Sequence, residues 1–150
     1  MIIHDVQTVV DSVNKILNDT NLNPMVEAMV NRLVSFGYIP TEEDAWMIAF
    51  TAKGTVNHVL NEINHQTVPE GLFEVVVDMI CGRVLNAKFC SGQLELEGLD
   101  LNGMIQSVTE GDTTVSFNAE GSDESKLKGL LSWLIQGKGC DLLCYRKMRW

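Results

Sequence analysis

The sequence predicts a mainly α-helical fold: a helical bundle with a small β-hairpin between its fourth and fifth helices and an extended or helical C-terminal tail. Apolar residues recur at helical spacing in five stretches, which indicates amphipathic helices. After residue 90 the sequence changes to glycines, alternating leucines and a threonine–valine run, which is typical of strands and turns. At 150 residues, the chain is expected to form one domain, residues 1–150.

The first two helices have clear boundary signals. Residues 5–17 predict a helix whose aliphatic side chains form one stripe, namely Val6, Val9, Val10, Val13, Ile16 and Leu17. The polar run NDTNLN interrupts the pattern, and Asn23 followed by Pro24 predicts an N-cap with proline at the first helical position. The second helix is expected to end at Gly37, because glycine is a favoured residue just beyond helix ends.

The third helix is predicted over roughly residues 42–64. Thr41 with Asp44 three residues later indicates a capping box. The acidic cluster of Glu42, Glu43 and Asp44 occupies the first turn, where the helix dipole favours negative charge, so it needs no catalytic explanation. Gly54 lies inside this helix at a cost of about 1 kcal/mol relative to alanine. We therefore expect either close packing or a bend at Gly54.

The fourth helix is predicted to begin near Pro69-Glu70. Its sequence over residues 71–85, GLFEVVVDMICGRVL, is apolar almost all round, which indicates burial on most sides, within the domain or against a neighbour. Asp78 is the exception near its middle. Two interpretations stay open: an isolated polar position, or a buried carboxylate paired with a cation such as Arg83 or one from a neighbouring chain.

A β-hairpin is predicted over residues 104–118, with its tip at the acidic turn Glu110-Gly111-Asp112. An isolated hairpin is only marginally stable in water. We therefore expect this one to have a partner, such as the hairpin of an adjacent subunit in a ring, where it could line a channel. The residues assigned to this channel or inter-subunit hairpin are Val108, Glu110, Gly111, Asp112, Val115 and Phe117.

The last part of the chain predicts a fifth helix over residues 124–136 and a short final element over residues 140–150. Ser122 or Asp123 can cap the helix. Its apolar face consists of Leu127, Leu130, Leu131, Leu134 and Ile135. The final element, CDLLCYRKMRW, combines three cations with two large aromatic residues, and such residue types often become hot spots of protein interfaces.

Charge is distributed unevenly along the chain. The net charge is -9, but residues 125–150 carry +5 while the three preceding segments, 1–23, 24–87 and 88–124, carry -2, -5 and -7. An acidic body repels DNA phosphates, whereas a basic end favours an acidic partner. No apolar run approaches the roughly 18 residues that span a bilayer, so no membrane partner is expected.

Motifs for catalysis are weak in this sequence. His58 and His65 lie seven residues apart with Glu62 between them, and we interpret them as part of a solvated helix face. A zinc site of Cys140, Cys144 and one histidine (His4, His58 or His65) is conceivable, but it lacks a strong ligand spacing. We therefore expect neither a cofactor nor enzymatic activity.

Four segments carry a family resemblance. RLVSFGYIPTEEDAW, VPEGLFEVVVDMICGRVL, SVTEGDTTVSF and the terminal LLCYRKMRW follow one another in this order. Together they resemble the head-tail connector proteins, also called head completion adaptors, of tailed double-stranded DNA phages and prophages. The resemblance covers roughly residues 24–150, and residues 1–23 look like a variable N-terminal helix.

The resemblance implies a structural protein of the virion neck. It implies a ring, usually of twelve subunits, that docks under the portal protein, extends the DNA conduit and joins the head to a stopper or tail protein, with DNA only as non-specific cargo. Assembly would take place in the host cytoplasm. On this interpretation residues 140–150 dock on the portal, with Leu142, Leu143, Tyr145 and Trp150 as apolar anchors and Arg146, Lys147 and Arg149 facing acidic groups.

Two functions from other classes stay open. The chain could be a small DNA-binding packaging or regulatory protein that uses residues 126–150 as a basic arm, in which case its DNA affinity would fall steeply with salt. It could also be a metalloenzyme with cysteine and histidine ligands, which would bind metal stoichiometrically.

Overall fold

Within the part of the chain that the computed structural model describes, residues 2–92 and 123–135, all regular structure is helical. The five α-helices in these ranges are α1 (Ile2–Leu17), α2 (Asn23–Ser35), α3 (Ala45–Ile63), α4 (Phe73–Cys90) and α5 (Asp123–Ile135). Single 3₁₀ turns precede the middle three helices, at Thr20–Leu22, Glu42–Asp44 and Glu70–Leu72. The mainly α-helical prediction is confirmed. The predicted hairpin, residues 104–118, and the predicted tail, residues 140–150, lie outside the described residues.

The fourth helix is the centre of the bundle. It packs against α2, α3 and α5, while α1 packs against α2 and α3. Every residue from Val76 to Leu85 is buried except Arg83, which is half-buried. A helix surrounded on three sides must be apolar almost all round, so the predicted burial of this segment is confirmed. The first helix contributes Val9, Val10 and Val13 to the same core.

Helix boundaries follow the sequence signals with one correction. Asn23 has helical dihedral angles and is the first residue of α2, so its assignment as the N-cap is wrong. The 3₁₀ turn Thr20–Leu22 runs directly into α2. The N–H groups that need a cap therefore belong to this turn and not to the start of α2. Asp19, in an extended conformation, caps that turn by accepting a hydrogen bond from the Asn21 N–H at 3.0 Å.

The predicted end of α2 at Gly37 is confirmed. Gly37 has a φ of 94°, which glycine adopts without strain. The Tyr38 N–H donates to the Leu33 carbonyl at 3.0 Å, and the Gly37 N–H donates to the Val34 carbonyl at the same distance. This pair of bonds satisfies the last carbonyls of the helix in a Schellman motif.

The glycines inside α3 and α4 have opposite surroundings. A Cβ atom added at Gly54 would have no heavy atom within 4 Å, so of the two alternatives expected there, close packing does not occur among the described residues. At Gly82, by contrast, an added Cβ would lie 2.8 Å from the Leu134 Cβ and 3.3 Å from the Ile135 backbone nitrogen. Close helix contact through a glycine therefore occurs between α4 and α5, while α3 has its glycine on an open surface.

Candidate protein-interaction surface

The third helix exposes two aromatic side chains. Trp46 is 62% exposed and Phe50 is 70% exposed, and their rings lie 5.7 Å apart at an angle of 30°. Among the described residues, Ile39, at 48%, is the other large apolar side chain with comparable exposure. Single exposed apolar residues are normal, but an adjacent aromatic pair forms a patch of the kind that marks interaction sites.

The spacing along α3 explains this exposure. Its buried side packs towards α1 and α4 through residues that include Ile48, Ala52 and Val59. Residues four apart stack on one side of a helix, and the side away from the core carries the exposed residues Trp46, Phe50, Lys53, Gly54, Asn57, His58, Asn61 and Glu62. The row that begins this side is uncharged, and we call its three residues, Trp46, Phe50 and Gly54, the α3 face.

The α3 face has the composition of an interface core. It consists of two aromatic residues and a glycine, and charged residues surround it, at Glu42, Glu43, Lys53 and Glu62. Interface cores are enriched in aromatic residues and depleted of charged ones, with a polar rim around them. The exposed sides of α1 and α2, in contrast, include charged residues such as Asp11, Lys15 and Glu27.

Gly54 adds a second feature to the α3 face. A glycine at an exposed position inside a helix destabilises it by about 1 kcal/mol relative to alanine. A Cβ atom at this position would have no heavy atom within 4 Å, so a larger side chain would fit. Packing among the described residues therefore does not explain Gly54. The space above it, one turn from Phe50, would allow the backbone of another element to approach closely.

A buried hydrogen-bond network fixes the start of α3. The Asp44 carboxylate accepts hydrogen bonds from the Tyr38 hydroxyl at 2.8 Å and from the Thr41 N–H at 3.1 Å, and it forms an ion pair with Lys88 of α4. The predicted capping box is thus present. The network ties the α2–α3 connection to the end of α4, so the α3 face begins at a rigid point.

The pKa values in this network follow from its geometry. Burial alone would raise the pKa of Asp44, but the hydrogen bonds from Lys88, Thr41 and Tyr38 together lower it. The pKa of Tyr38 is raised, first by burial and then by its hydrogen bond to the Asp44 carboxylate. Both groups are therefore fixed in one protonation state near neutral pH, which suits a structural role.

Asp78 is the second buried carboxylate, and it resolves the two interpretations left open by the sequence. It is buried, and its Oδ1 lies 3.1 Å from Arg32 Nε of α2. The guanidinium of Arg32 also lies over the Phe36 ring, 4.8 Å from its centroid. The cation found here is therefore Arg32, where the sequence had suggested Arg83. The pair joins α2 to α4 inside the bundle.

The candidate histidine and cysteine sites receive no support from the described residues. α3 ends at Ile63, and Asn64 follows with a left-handed φ of 56°, so His65 lies beyond the helix that carries the exposed His58. Residues 2–92 and 123–135 contain no group of three metal-ligating side chains. Cys140 and Cys144, the basis of the zinc hypothesis, are outside those ranges.

The remaining predicted site residues also lie outside the described ranges. For portal docking they are Leu142, Leu143, Tyr145, Arg146, Lys147, Arg149 and Trp150. For the hairpin they are Val108, Glu110, Gly111, Asp112, Val115 and Phe117. None of the helices described here is both long and apolar enough to cross a membrane.

No family model, curated protein or solved structure matches this chain. Function is therefore inferred from the α3 face, the charge distribution and the sequence resemblance. Trp46 and Phe50 lie within the predicted third helix, residues 42–64, and no role was predicted for them. Their spacing of four residues, continued by Gly54, was the signal that could have identified a surface.

Proposed function

We propose that this chain is a structural ring adaptor of a phage neck, which docks under the portal, extends the DNA conduit and joins the head to a stopper or tail protein. The observation that favours an assembly role is the α3 face, an uncharged aromatic surface on a rigid helical body. The four sequence segments that resemble head-tail connectors give the role its specific form.

The α3 face favours assembly over catalysis for a physical reason. Exposing two aromatic rings to water is unfavourable at about 25 cal/mol for each Å² of apolar surface. A protein that works as an isolated monomer gains nothing from such exposure, whereas an assembling protein recovers this free energy when the surface is covered. The exposed Gly54 fits the same explanation, because it widens the surface that a partner can approach.

The finer features of the fold belong to this proposal. The hairpin over residues 104–118 would pair with its neighbours around the ring and face the channel with its acidic tip. The tail over residues 140–150 would dock on the portal through aromatic anchors and cations. Residues 1–124 carry a net charge of -14, so a conduit built from this body would repel DNA phosphates and let DNA pass without adhering.

The proposal is tested with the portal protein encoded by the same phage or prophage. The purified portal ring is mixed with the chain, and the complex is isolated by size-exclusion chromatography and imaged by electron microscopy. The expected result is a ring of this chain on one end of the portal. A chain lacking residues 141–150 is expected to keep its helical circular dichroism spectrum and to fail to bind.

A matched pair of variants separates docking from loss of net charge. Arg146→Ala/Arg149→Ala removes two cations from the tail, and Lys15→Ala/Lys53→Ala removes two exposed cations from the body. Only the tail variant should lose portal binding. Binding by the truncated chain would refute docking through the tail. Absence of any portal complex, together with DNA affinity that falls steeply with salt, would replace the adaptor with the DNA-binding alternative.

A further inference from the structure

The α3 face continues into an open groove at its N-terminal end. The groove lies between α1 and the connection from α2 to α3, and its lining residues are Thr8, Val9, Ile39, Pro40, Thr41, Glu42 and Glu43. Ile39 is 48% exposed there. Glu42 and Glu43 are exposed one turn before Trp46, at a spacing that makes side chains neighbours on a helix. The groove and the α3 face therefore form one surface, which is aromatic at one end and acidic at the other.

The exposed carboxylates of this surface have no described cation beside them. Asp44 pairs with Lys88, whereas within residues 2–92 and 123–135 no salt bridge includes Glu42 or Glu43. Two adjacent negative charges attract a cation by Coulomb attraction, and the neighbouring indole ring of Trp46 attracts it by cation–π contact. The surface therefore fits an occupant that combines cations with large apolar side chains.

The chain has two long segments outside the described ranges, and their charges select one of them. Residues 93–122 contain six acidic residues and no basic one, so the carboxylates of the groove would repel them. Residues 136–150 contain four cations and one acid, namely Lys138, Arg146, Lys147, Arg149 and Asp141. The last three cations stand among the leucines and aromatic residues of residues 140–150. Arginine suits this surface, because its guanidinium pairs with carboxylates and stacks on aromatic rings.

Other parts of the chain match the surface less well. α5 is neutral overall, since its two acids balance its two lysines. A second copy of the same surface would bring Glu42 and Glu43 against carboxylates, and like charges that face each other across an interface are unfavourable. Residues 140–150 are therefore the occupant that the charges favour.

The end of α5 is near enough for residues 140–150 of the same chain to reach this surface. α5 ends at Ile135, which lies against α4 at Gly82, and Lys88 on the same helix pairs with Asp44. At 1.5 Å per helical residue, the path from Ile135 along α4 to Asp44 is about 20 Å. Arg146 comes eleven residues after Ile135, and such a segment spans up to about 36 Å.

The same reach favours binding within one chain over binding between two. A segment tethered near its site has an effective concentration of about 1 mM. At micromolar protein concentrations, residues 140–150 of the same chain therefore occupy the surface before those of a second copy.

We propose that residues 140–150 bind the groove and the α3 face of their own chain before assembly. The cations of this segment face Glu42 and Glu43, and its aromatic residues pack on Trp46 and Phe50. The role of this contact in assembly rests on the proposed ring adaptor. The free chain holds its portal-docking segment on its own surface, and the portal has to displace it, which uncovers the α3 face at the same step.

Zero-length carbodiimide cross-linking of the full wild-type chain, well below about 1 mM, tests the contact directly. Lys147 is the one lysine of residues 140–150. In the monomer fraction, peptide mass mapping should find Lys147 joined to Glu42 or Glu43, and not to the control carboxylates Glu27 and Glu74, which are exposed on α2 and α4. Links from Lys147 to all four carboxylates or to none overturn the proposal, and so do links to Glu42 or Glu43 that occur only in cross-linked dimers.

Competition with a fluorescent peptide of residues 140–150 measures how far the chain's own segment occupies the surface. The full chain with Arg146→Glu/Arg149→Glu should bind the peptide at least about tenfold more tightly than the wild type, because its own segment no longer competes. Lys15→Glu/Lys128→Glu, the same charge change at exposed positions of α1 and α5, is the matched control and should bind the peptide as the wild type does. Equal affinity of the tail variant and the wild type overturns the proposal.

Charge exchange identifies the site of the peptide. Adding Glu42→Lys/Glu43→Lys to the chain with the reversed tail should abolish binding of the wild-type peptide. A peptide that carries Arg146→Glu/Arg149→Glu should then bind again, which damage to the surface does not produce. Circular dichroism confirms that each variant is folded, and binding of the wild-type peptide that survives Glu42→Lys/Glu43→Lys places the contact elsewhere and overturns the proposal.

Portal binding separates this inference from the proposed function. Glu42→Gln/Glu43→Gln releases residues 140–150 without altering them, so it should strengthen portal binding by up to about tenfold. Portal binding that this variant leaves unchanged overturns the self-contact while the adaptor stands. The expected cross-links and peptide affinities, with no portal binding, support the self-contact and refute the adaptor.

Discussion

Replacing Gly82 by alanine should destabilise the protein through one contact between α4 and α5. The added Cβ would lie 2.8 Å from the Leu134 Cβ, and 3.3 Å from both the Cγ1 and the backbone nitrogen of Ile135. Neither a β-carbon nor a backbone atom can rotate away, so α5 has to shift as a unit. The same substitution at Gly54, which has open space around it, serves as the matched control.

The magnitude follows from two opposing terms. Alanine gains about 1 kcal/mol over glycine inside a helix, and this gain applies to both positions. Overpacking a filled interior typically costs about 1–3 kcal/mol, and this cost applies at Gly82 alone. We therefore expect Gly54→Ala to raise the free energy of unfolding by about 1 kcal/mol and Gly82→Ala to lower it by up to about 2 kcal/mol.

Urea unfolding followed by circular dichroism at the helical minimum measures both changes, and for a chain of this size 1 kcal/mol corresponds to about 2–4 °C in Tm. Amide hydrogen exchange adds a local measurement, because α5 packs chiefly on α4 and should exchange faster in Gly82→Ala. Equal stabilisation by both substitutions would refute the close approach of α4 and α5, and with it the placement of α5 on the bundle.

Three further predictions concern buried groups. Arg32→Met should lower the free energy of unfolding by about 3 kcal/mol, the low end for a broken buried ion pair because Arg32 is partly exposed, and Arg32→Lys should restore part of the loss in thermal unfolding. Because the pKa of Asp44 is lowered in the folded state, its contribution is complete above about pH 3.9, the usual pKa, and is lost as the pH falls through the folded value. The difference in urea midpoint between the wild type and Asp44→Asn should therefore stay constant from pH 7 to about pH 4 and shrink as the pH is lowered further, to about pH 2. Cys90 is exposed and should react rapidly with a thiol reagent. Cys81 is buried, which raises the pKa of its thiol, so it should react only at the rate of unfolding. Peptide mass mapping distinguishes the two cysteines.

Helix positions could be predicted from the sequence because they depend on local spacing. The apolar stripe of α1, the capping box at Thr41 and the end of α2 at Gly37 each need only a few neighbouring residues, and all three are confirmed. The burial of α4 could be predicted for the same reason, since a helix with apolar residues on every side has no polar side that could face water.

Features that depend on distant residues could not be predicted. Arg32 and Asp78 are 46 residues apart in the sequence, and no local pattern connects them. Gly54 and Gly82 look alike in the sequence, yet only Gly82 meets a neighbouring helix, because propensity is local and packing is not. The prediction of Asn23 as an N-cap was wrong because a 3₁₀ turn precedes α2, and Asp19 caps that turn.

The α3 face stands between these two cases. Its members share a spacing that the sequence displays, so a helical projection could have placed Trp46, Phe50 and Gly54 on one line. Whether that line faces water or the core depends on which side of α3 meets α1 and α4. The sequence therefore shows which residues share one side of α3, and only the packing of the bundle shows that this side is exposed.

The central position of α4 has a consequence during protein synthesis. α4 ends at Cys90, and its covering helix α5 is complete only at Ile135. At common translation rates this interval is about 2–9 s, and throughout it the side of α4 that later holds Gly82 against α5 lacks that helix. A nascent chain in this state has not completed the packing of its central helix. Slow translation of residues 91–135 should therefore increase aggregation, and a chaperone that holds apolar helices should reduce it.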